Sequence, residues 1–312
     1  MMTLEGDGPP LPARSSGPGR ASKLVTLEDA AALVPSGGLV AIGGLWFQNN
    51  PSALVRQVIR SGTRDLRIVA APPSSYAVDL LIGARAVARA YVAHVSFDHL
   101  GLAPNFRRAA ETGAAEIVDC DEATVLGGLM AAAEALPHHP VTSISGTDLI
   151  RTSPLAASQP VAGLGAVAAP PAMAPDVCLL HAQEADIYGN VRYFGTPFCD
   201  PLFAKTARTV IVSVDRVVDN SVVRGEPHRT VIPGYLVDAV VEAPYGAHPA
   251  ASQGRYAHDE EHLAAYIKAG RSEQEWRAGY LQPWVLDTPE GAAYLEKAGG
   301  AARIESLDEV VP

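Results

Sequence analysis

Three short strings carry residue types that could do chemistry. Gly43 and Gly44 follow an apolar run over 38–42 and precede Asn50 and Pro51, where a helical pattern starts. Paired glycines at such a junction let backbone amides approach an anion, and a helix N-terminus adds positive potential. Asp119-Cys120-Asp121-Glu122 lies where a strand pattern gives way to a helical one. Its carboxylates either cap the helix or, at the carboxyl end of a strand, stand where open α/β folds place their chemistry. His258-Asp259-Glu260-Glu261-His262 spells HxxEH, which on a helix puts two imidazoles on one face with a glutamate as base. No further ligand signal accompanies it and the segment is highly charged, so it reads as a solvated helix face with no metal.

Other strings are less promising. Gly163-Leu164-Gly165-Ala166-Val167-Ala168 matches a dinucleotide-binding string, but Pro170-Pro171 stand where its helix should begin, and this rejects it. Asp186-Ile187-Tyr188-Gly189-Asn190-Val191 reads as a turn joining two strands, with Gly189 and Asn190 in left-handed backbone. His138-His139 precede Pro140 in a surface turn. The sequence has no GxSxG elbow, no phosphate-binding loop and no cysteine with a base nearby, so the chain supplies no self-evident nucleophile.

The elements that must position these groups alternate along the chain. Strands are expected over 38–42, 66–70, 90–95, 115–118, 141–144, 177–180, 209–214 and 236–241. Helical spacing fits the segment from Asn50 to Gly62, with Asn50 as cap, and also 106–112, 121–136, 201–206 and 257–268. That alternation predicts an α/β fold with an open, mainly parallel sheet and flanking helices. Residues 152–175 break the rhythm and read as a long loop over a site. The tail over 272–312 carries Trp276, Tyr280, Trp284 and Tyr294, which suit helices packed on the body or on a partner chain. Residues 1–22 are Gly-, Pro- and Ser-rich and read as a flexible leader, with 23–312 as one domain.

Composition narrows the function classes. A net charge of −10 over 312 residues argues against nucleic acid or an anionic membrane as the main partner. No apolar run approaches the ~20 residues of a membrane span; the one over 125–133 stops at Glu134. Cys120, Cys178 and Cys199 are odd in number and widely spaced, so neither a disulfide framework nor a CxxC metal site is present, and a reducing cytoplasmic setting is the default.

Several strings in order resemble the α subunits of type I CoA-transferases, such as glutaconate CoA-transferase. They run from Gly43-Gly44 and Asn50-Pro51-Ser52-Ala53-Leu54, through Gly146-Thr147-Asp148-Leu149, to Ala174-Pro175-Asp176-Val177 and His181-Ala182. The Asp186–Val191 string, the run from Val210 to Val218, the run from Val237 to Pro249, and then Tyr256 and Asp259 complete the set, which spans about residues 25 to 268. The resemblance implies an active site at an interface with a homologous β subunit. It also implies coenzyme A as a substrate, with no permanently bound cofactor. In that family a β-subunit glutamate attacks an acyl-CoA thioester, giving an acyl-glutamyl anhydride and then a glutamyl-CoA thioester, from which a carboxylate acceptor takes the CoA. That nucleophile's string is absent here, in keeping with an α chain, and Asp215 stands where many relatives have Glu. The residues expected to contact substrate are Gly43, Gly44, Gln48 and Asn190.

A second branch looks similar: an α-like chain of a hydrolase that opens a ring of a CoA thioester in steroid degradation, without the β glutamate. There an acidic residue of the α-like chain takes part, and Glu122 is the candidate catalytic group in the matching region. A non-catalytic ligand-binding subunit is a further alternative. A DNA-linked sensor is not, because no basic helix–turn–helix module is present.

Overall fold

The computed structural model describes residues 21–156, 158–161 and 165–307; most of the leader expected over 1–22 lies outside them. Strands β1 (Leu39–Ile42), β2 (Leu66–Ala70), β3 (Val87–Tyr91) and β4 (Glu116–Ile117) pair in parallel in that order. On the other side of β1 comes β7 (Val177–Asp186), then β9 (Thr209–Val218) and β11 (Ala239–Glu242), all parallel. β8 (Val191–Arg192) and β10 (Thr230–Ile232) add an antiparallel corner on β7, and β5 (Ser158–Val161) with β6 (Gly165–Ala168) forms a separate hairpin. The mainly parallel α/β sheet read from the sequence is therefore the architecture.

Strand periodicity explains the layers. Val40 and Ile42 of β1, Leu66 and Ile68 of β2, and Leu179 of β7 enter one core, while Leu39, Ala41, Val69, Cys178 and Leu180 enter the other. The helices α1 (Leu27–Ala32), α2 (Ser52–Arg60), α3 (Tyr76–Gly83) and α4 (Pro104–Thr112) serve the first face. Val125 and Leu129 of α5 (Glu122–Ala133) serve the second face. After the short α6 (Leu149–Thr152), so do Phe203 and Ala204 of α7 (Asp200–Thr206).

Several boundaries move from their expected positions. The strand expected over 90–95 ends at Tyr91, and 141–144 is no strand: Val141 makes a single bridge to Ala168. The strand expected over 236–241 begins only at Ala239, after a 3-10 turn over Gly234–Leu236. Residues 152–175 hold the β5–β6 hairpin rather than a plain loop. Helix α3 escaped the periodic reading because seven of its eight residues are buried, leaving no polar face to set a period. Asn50 does not cap α2; Pro51 occupies that position, and the Asn50 amide donates to the carbonyls of Trp46 (2.6 Å) and Gln48 (3.2 Å).

The chain closes with α8 (Asn220–Gly225), α9 (Glu260–Ala269), α10 (Glu273–Trp276), a π-helical stretch over Arg277–Leu286, α11 (Ala292–Lys297) and α12 (Ala301–Glu305). Its aromatics pack on the body: Trp276, Tyr280 and Tyr294 are buried. Arg56 of α2, also fully buried, donates from Nε and Nη2 to the two oxygens of Glu290 at 2.7 Å each and lies 3.8 Å over the Tyr294 ring. Among the described residues no helix is long and apolar enough to cross a membrane.

Removing one partner of a buried pair strands the other charge. Glu290→Gln is therefore expected to lower unfolding free energy by about 3 kcal/mol, read by urea denaturation, whereas the paired change Arg56→Met with Glu290→Leu should recover most of it.

Candidate functional site

Polar side chains gather where β1, β7 and β9 approach their carboxyl ends. On the first sheet face β7 runs Val177, Leu179, then His181 and Gln183, and β9 runs Ile211, then Ser213 and Asp215. The opposite face stays apolar through Leu180 and Ala182 and through Val212 and Val214. Register sets His181 beside Ser213, and Gln183 beside Asp215, between the pairs Ala182–Val214 and Glu184–Arg216. Gln183 was missed, and His181, Ser213 and Asp215 were read only as parts of family strings and not as one cluster, because β7 was ended at 180 and β9 at 214. The readable signal is an alternation that turns polar on one face only.

The cluster is dense with hydrogen bonds. His181 Nδ1 lies 3.0 Å from Ser213 Oγ, and its Nε2 lies 3.5 Å from Asp215 Oδ2. Asp215 Oδ1 accepts from the Tyr245 amide (2.9 Å) and the Tyr256 hydroxyl (3.4 Å), and Oδ2 accepts from Ser252. Burial pushes the Asp215 carboxyl up, but the neighbouring His181 charge and the hydrogen bonds outweigh it and hold the group below its ordinary value. Gln183 Nε2 donates to Asn49 Oδ1 (2.8 Å) and Ser252 Oγ (2.9 Å).

The glycine loop stands against this cluster, with its amides turned inward. Gly43 N–H donates to the Leu179 carbonyl and Gly44 N–H to Asp200 Oδ1, each at 2.9 Å. These two amides therefore do not form the free anion cradle expected of them. The glycines serve close approach: a Cβ on Gly43 would sit 2.7 Å from Asp200 Oδ1, and one on Gly44 (φ +81°) 2.5 Å from the Gln48 carbonyl. Trp46 (φ 43°) and Asn49 (φ 52°) also hold left-handed backbone, strain of the kind that concentrates at functional loops. Three buried polar atoms on this loop and the facing segment lack a partner: Gln48 Oε1, Asn49 Nδ2 and Gln253 Oε1. Such groups call for a ligand or water.

The remaining candidates separate. Glu122 is the exposed first residue of α5, and the cap belongs to Asp121, whose carboxylate accepts from the Thr124 amide at 2.9 Å. Glu122 acts on Cys199, whose thiol is pushed up to about 11 by burial, Asp200 and Glu122, so it lies on the Asp200 side of the loop. Asn190 is elsewhere. Its amide donates to Asp186 Oδ2 (2.8 Å) and its oxygen accepts from the Gly234 amide (3.0 Å). Asp186 stands seven residues beyond Leu179 on β7, on the order of 20 Å from the glycine loop at strand rise. Asn190 thus locks a turn, in which Gly189 has positive φ and Asn190 does not.

The HxxEH string is not a solvated helix face. His258 precedes α9 because Asp259 takes its N-cap, and its ring stacks 4.8 Å from Phe47. His262 is buried, with Nε2 2.7 Å from the Tyr280 hydroxyl. Its histidine neighbour is His248, and these two with Asp259 bring potential ligand atoms within 4.8 Å. Arg303 pairs with Asp259, whose oxygens also accept from the His262 amide and face His248 Nε2 at 3.0 Å. A cation would have to displace that guanidinium.

The profile described as coenzyme A transferase matches residues 24–243. The chain belongs to the coenzyme A transferase family. It is 32% identical to the α-type subunit of glutaconate CoA-transferase from Acidaminococcus fermentans, covering 93% of this chain and 96% of that one. The crystal structure of that transferase superposes with a TM-score of 0.87 at 31% identity, covering 92% of this chain and 95% of the other. The cholesterol ring-cleaving hydrolase IpdA subunit of Rhodococcus jostii is 33% identical, over 82% of this chain and 89% of its own. A decarboxylase AibA/AibB variant superposes with a TM-score of 0.73 at 33% identity, over 83% and 98%. An Archaeoglobus fulgidus protein, 33% identical over 93% of this chain, is longer, and the chain spans 65% of it. This is a type I CoA-transferase α-like subunit.

Within this CoA-transferase subunit Asp200 is fully buried, accepts from Gly44 N–H and from the Tyr193 hydroxyl (2.8 Å), and is pushed up to about 7 by burial, which those two bonds only partly offset. A carboxyl raised in the folded state binds its proton more tightly there than when unfolded. Stability therefore falls as pH rises from about 4 to 7, by on the order of 4 kcal/mol. Asp200→Asn keeps the shape and drops the charge. It is expected to melt higher than the parent protein at pH 8, with the difference fading toward pH 4 in thermal scans.

Proposed function

We propose that this chain is the α subunit of a two-chain CoA-transferase that moves CoA between an acyl-CoA and a carboxylic acid, its nucleophilic glutamate supplied by a homologous β subunit. The observation that carries this reading is the likeness to the α-type chain of glutaconate CoA-transferase over nearly the whole of both chains. The geometry agrees with it. Around the glycine loop, Asp200 and Asp215 are committed to internal hydrogen bonds, while Gln48, Asn49 and Gln253 offer unpaired polar atoms. Such a surface binds and orients, and leaves covalent chemistry to another chain. Trp46 and Phe194, 37% and 44% exposed at the loop's rim, suit the facing surface of that partner.

In the transfer itself, the partner's carboxylate attacks the thioester carbonyl, expelling CoA thiolate and forming an acyl-glutamyl anhydride. The thiolate attacks the glutamyl carbonyl, releasing the first acid and leaving a glutamyl-CoA thioester. The acceptor carboxylate attacks that carbonyl, and the returning thiolate takes the new acyl group and frees the glutamate. In this scheme Gly43, Gly44 and Gln48 line the acyl end, Asn190 acts from its distant turn on the fold alone, and residues 23–312 work as one domain in the cytoplasm.

A second reading is a ring-opening CoA-thioester hydrolase. Its support is Glu122, exposed at the start of α5 and near enough for its charge to help raise the Cys199 thiol, together with the likeness to the ring-cleaving hydrolase subunit. There Glu122 would be base or nucleophile.

Purified alone, the chain should show no CoA transfer from acetyl-CoA or other acyl-CoAs, and gain it with a β-type partner. Hydroxylamine or borohydride should then trap a glutamyl-CoA thioester on the partner. Robust turnover by the single chain would defeat the two-chain reading. Glu122→Gln in the assembled complex separates the two chemistries: a loss of only a few-fold fits the transferase. A loss on the order of 100- to 10,000-fold without trapped thioester fits the hydrolase.

A further inference from the structure

We propose that Asp200 is the positioning residue of the glycine loop, its carboxylate gripping the Gly44 amide so that loss of its charge loosens the loop lining the acyl-CoA site. The inference rests on the reading of that loop as site lining, but its main test reads the loop itself.

Asp200 lies against both glycines. Its Oδ1 accepts Gly44 N–H at 2.9 Å and occupies the space a Gly43 side chain would need. Its Oδ2 accepts the Tyr193 hydroxyl. The loop it holds is conformationally costly, with left-handed Gly44, Trp46 and Asn49 within six residues, and such backbone persists only where its surroundings over-determine it. Ionised, Asp200 offers Gly44 a charge-assisted bond. Protonated, it becomes a donor on one oxygen, which the Tyr193 oxygen can accept, and Gly44 is left with a neutral acceptor.

The groups facing Asp200 leave it room to titrate. They are the Tyr193 phenol after β8, the Cys199 thiol before it in the chain, and Cys178 on β7, which faces Tyr193; Glu122 on α5 faces Cys199. Burial raises both Tyr193 and Cys199, so neither ionises near neutrality. Among the described residues no cation stands within ion-pairing distance of Asp200, and its own group is pushed up to about 7. The loop's anchor therefore changes charge close to neutral pH.

The test uses the full chain labelled with 13C and 15N in glycine only. An amide-to-preceding-carbonyl correlation then shows just the glycines that follow a glycine: Gly38, Gly44, Gly128 and Gly300. One of these amide protons is expected to move downfield as pH rises, with a midpoint near 7, and to be static in Asp200→Asn. In Tyr193→Phe, which removes a bond favouring the ionised form, the midpoint should rise; this variant also serves if Asp200→Asn fails to fold. The idea is overturned if none of the four titrates, or if the movement survives in Asp200→Asn. In the complex with its partner, kcat/KM should fall severalfold from pH 8 to pH 6 in the parent protein and stay flat in Asp200→Asn; matching profiles would remove the positioning role. A complex with no transfer at any pH would instead count against the transferase reading, and the glycine titration would still report on Asp200.

Discussion

Strand β7 is buried on both faces along all ten residues and is paired on both edges, with β1 and then β8 on one side and β9 on the other. A buried backbone must find partners for every N–H and C=O, and β7 finds them only if β1 stops early. β1 has four residues, and where it stops at Ile42 the Gly43 amide still reaches the Leu179 carbonyl before the chain turns away. The glycine loop is thus placed by the length difference between two neighbouring strands. Past the end of β1, Gln183 of β7 donates to Asn49 of the loop and to Ser252.

Polar groups buried there are costly unless paired. Asp215 has three donors around it besides His181, and Asp200 has two neutral donors and no cation at its side among the described residues. Their environments nonetheless push them apart. Asp215 has His181 beside it and stays low; Asp200 has only neutral donors and rises to about 7. Two aspartates at one sheet end therefore differ in protonation near neutrality, a difference made by neighbours and not by residue type.

The C-terminal segment stabilises the loop from behind. Arg56, on the helix that follows the loop, donates to Glu290 and to the His248 carbonyl, while His258 stacks on Phe47 of the loop. His262, Tyr280 and Tyr76 continue as a chain of hydrogen-bonded rings between α9, the π-helical stretch and α3. The site loop is so held between the sheet and a packed tail, and changes in that tail should be felt at the site.

Much was legible in the sequence because it is local. Short apolar runs marked β1, β2 and the first halves of β7 and β9, and glycines at 43 and 44 marked a tight junction. The ordered strings from Gly43-Gly44 to Asp259 marked the family. What those glycines are for was not legible, because Asp200, which crowds Gly43 and binds Gly44, lies 156 positions away from Gly44. For the same reason His262 read as solvated: its true neighbours, His248, Tyr280 and Trp284, come from other segments. Asn190 read as a site residue from its string, yet β7 is long enough to carry it away from the loop. Local backbone preference and family pattern are written along the chain. Which buried acid meets which amide is decided only when strands of unequal length are laid side by side.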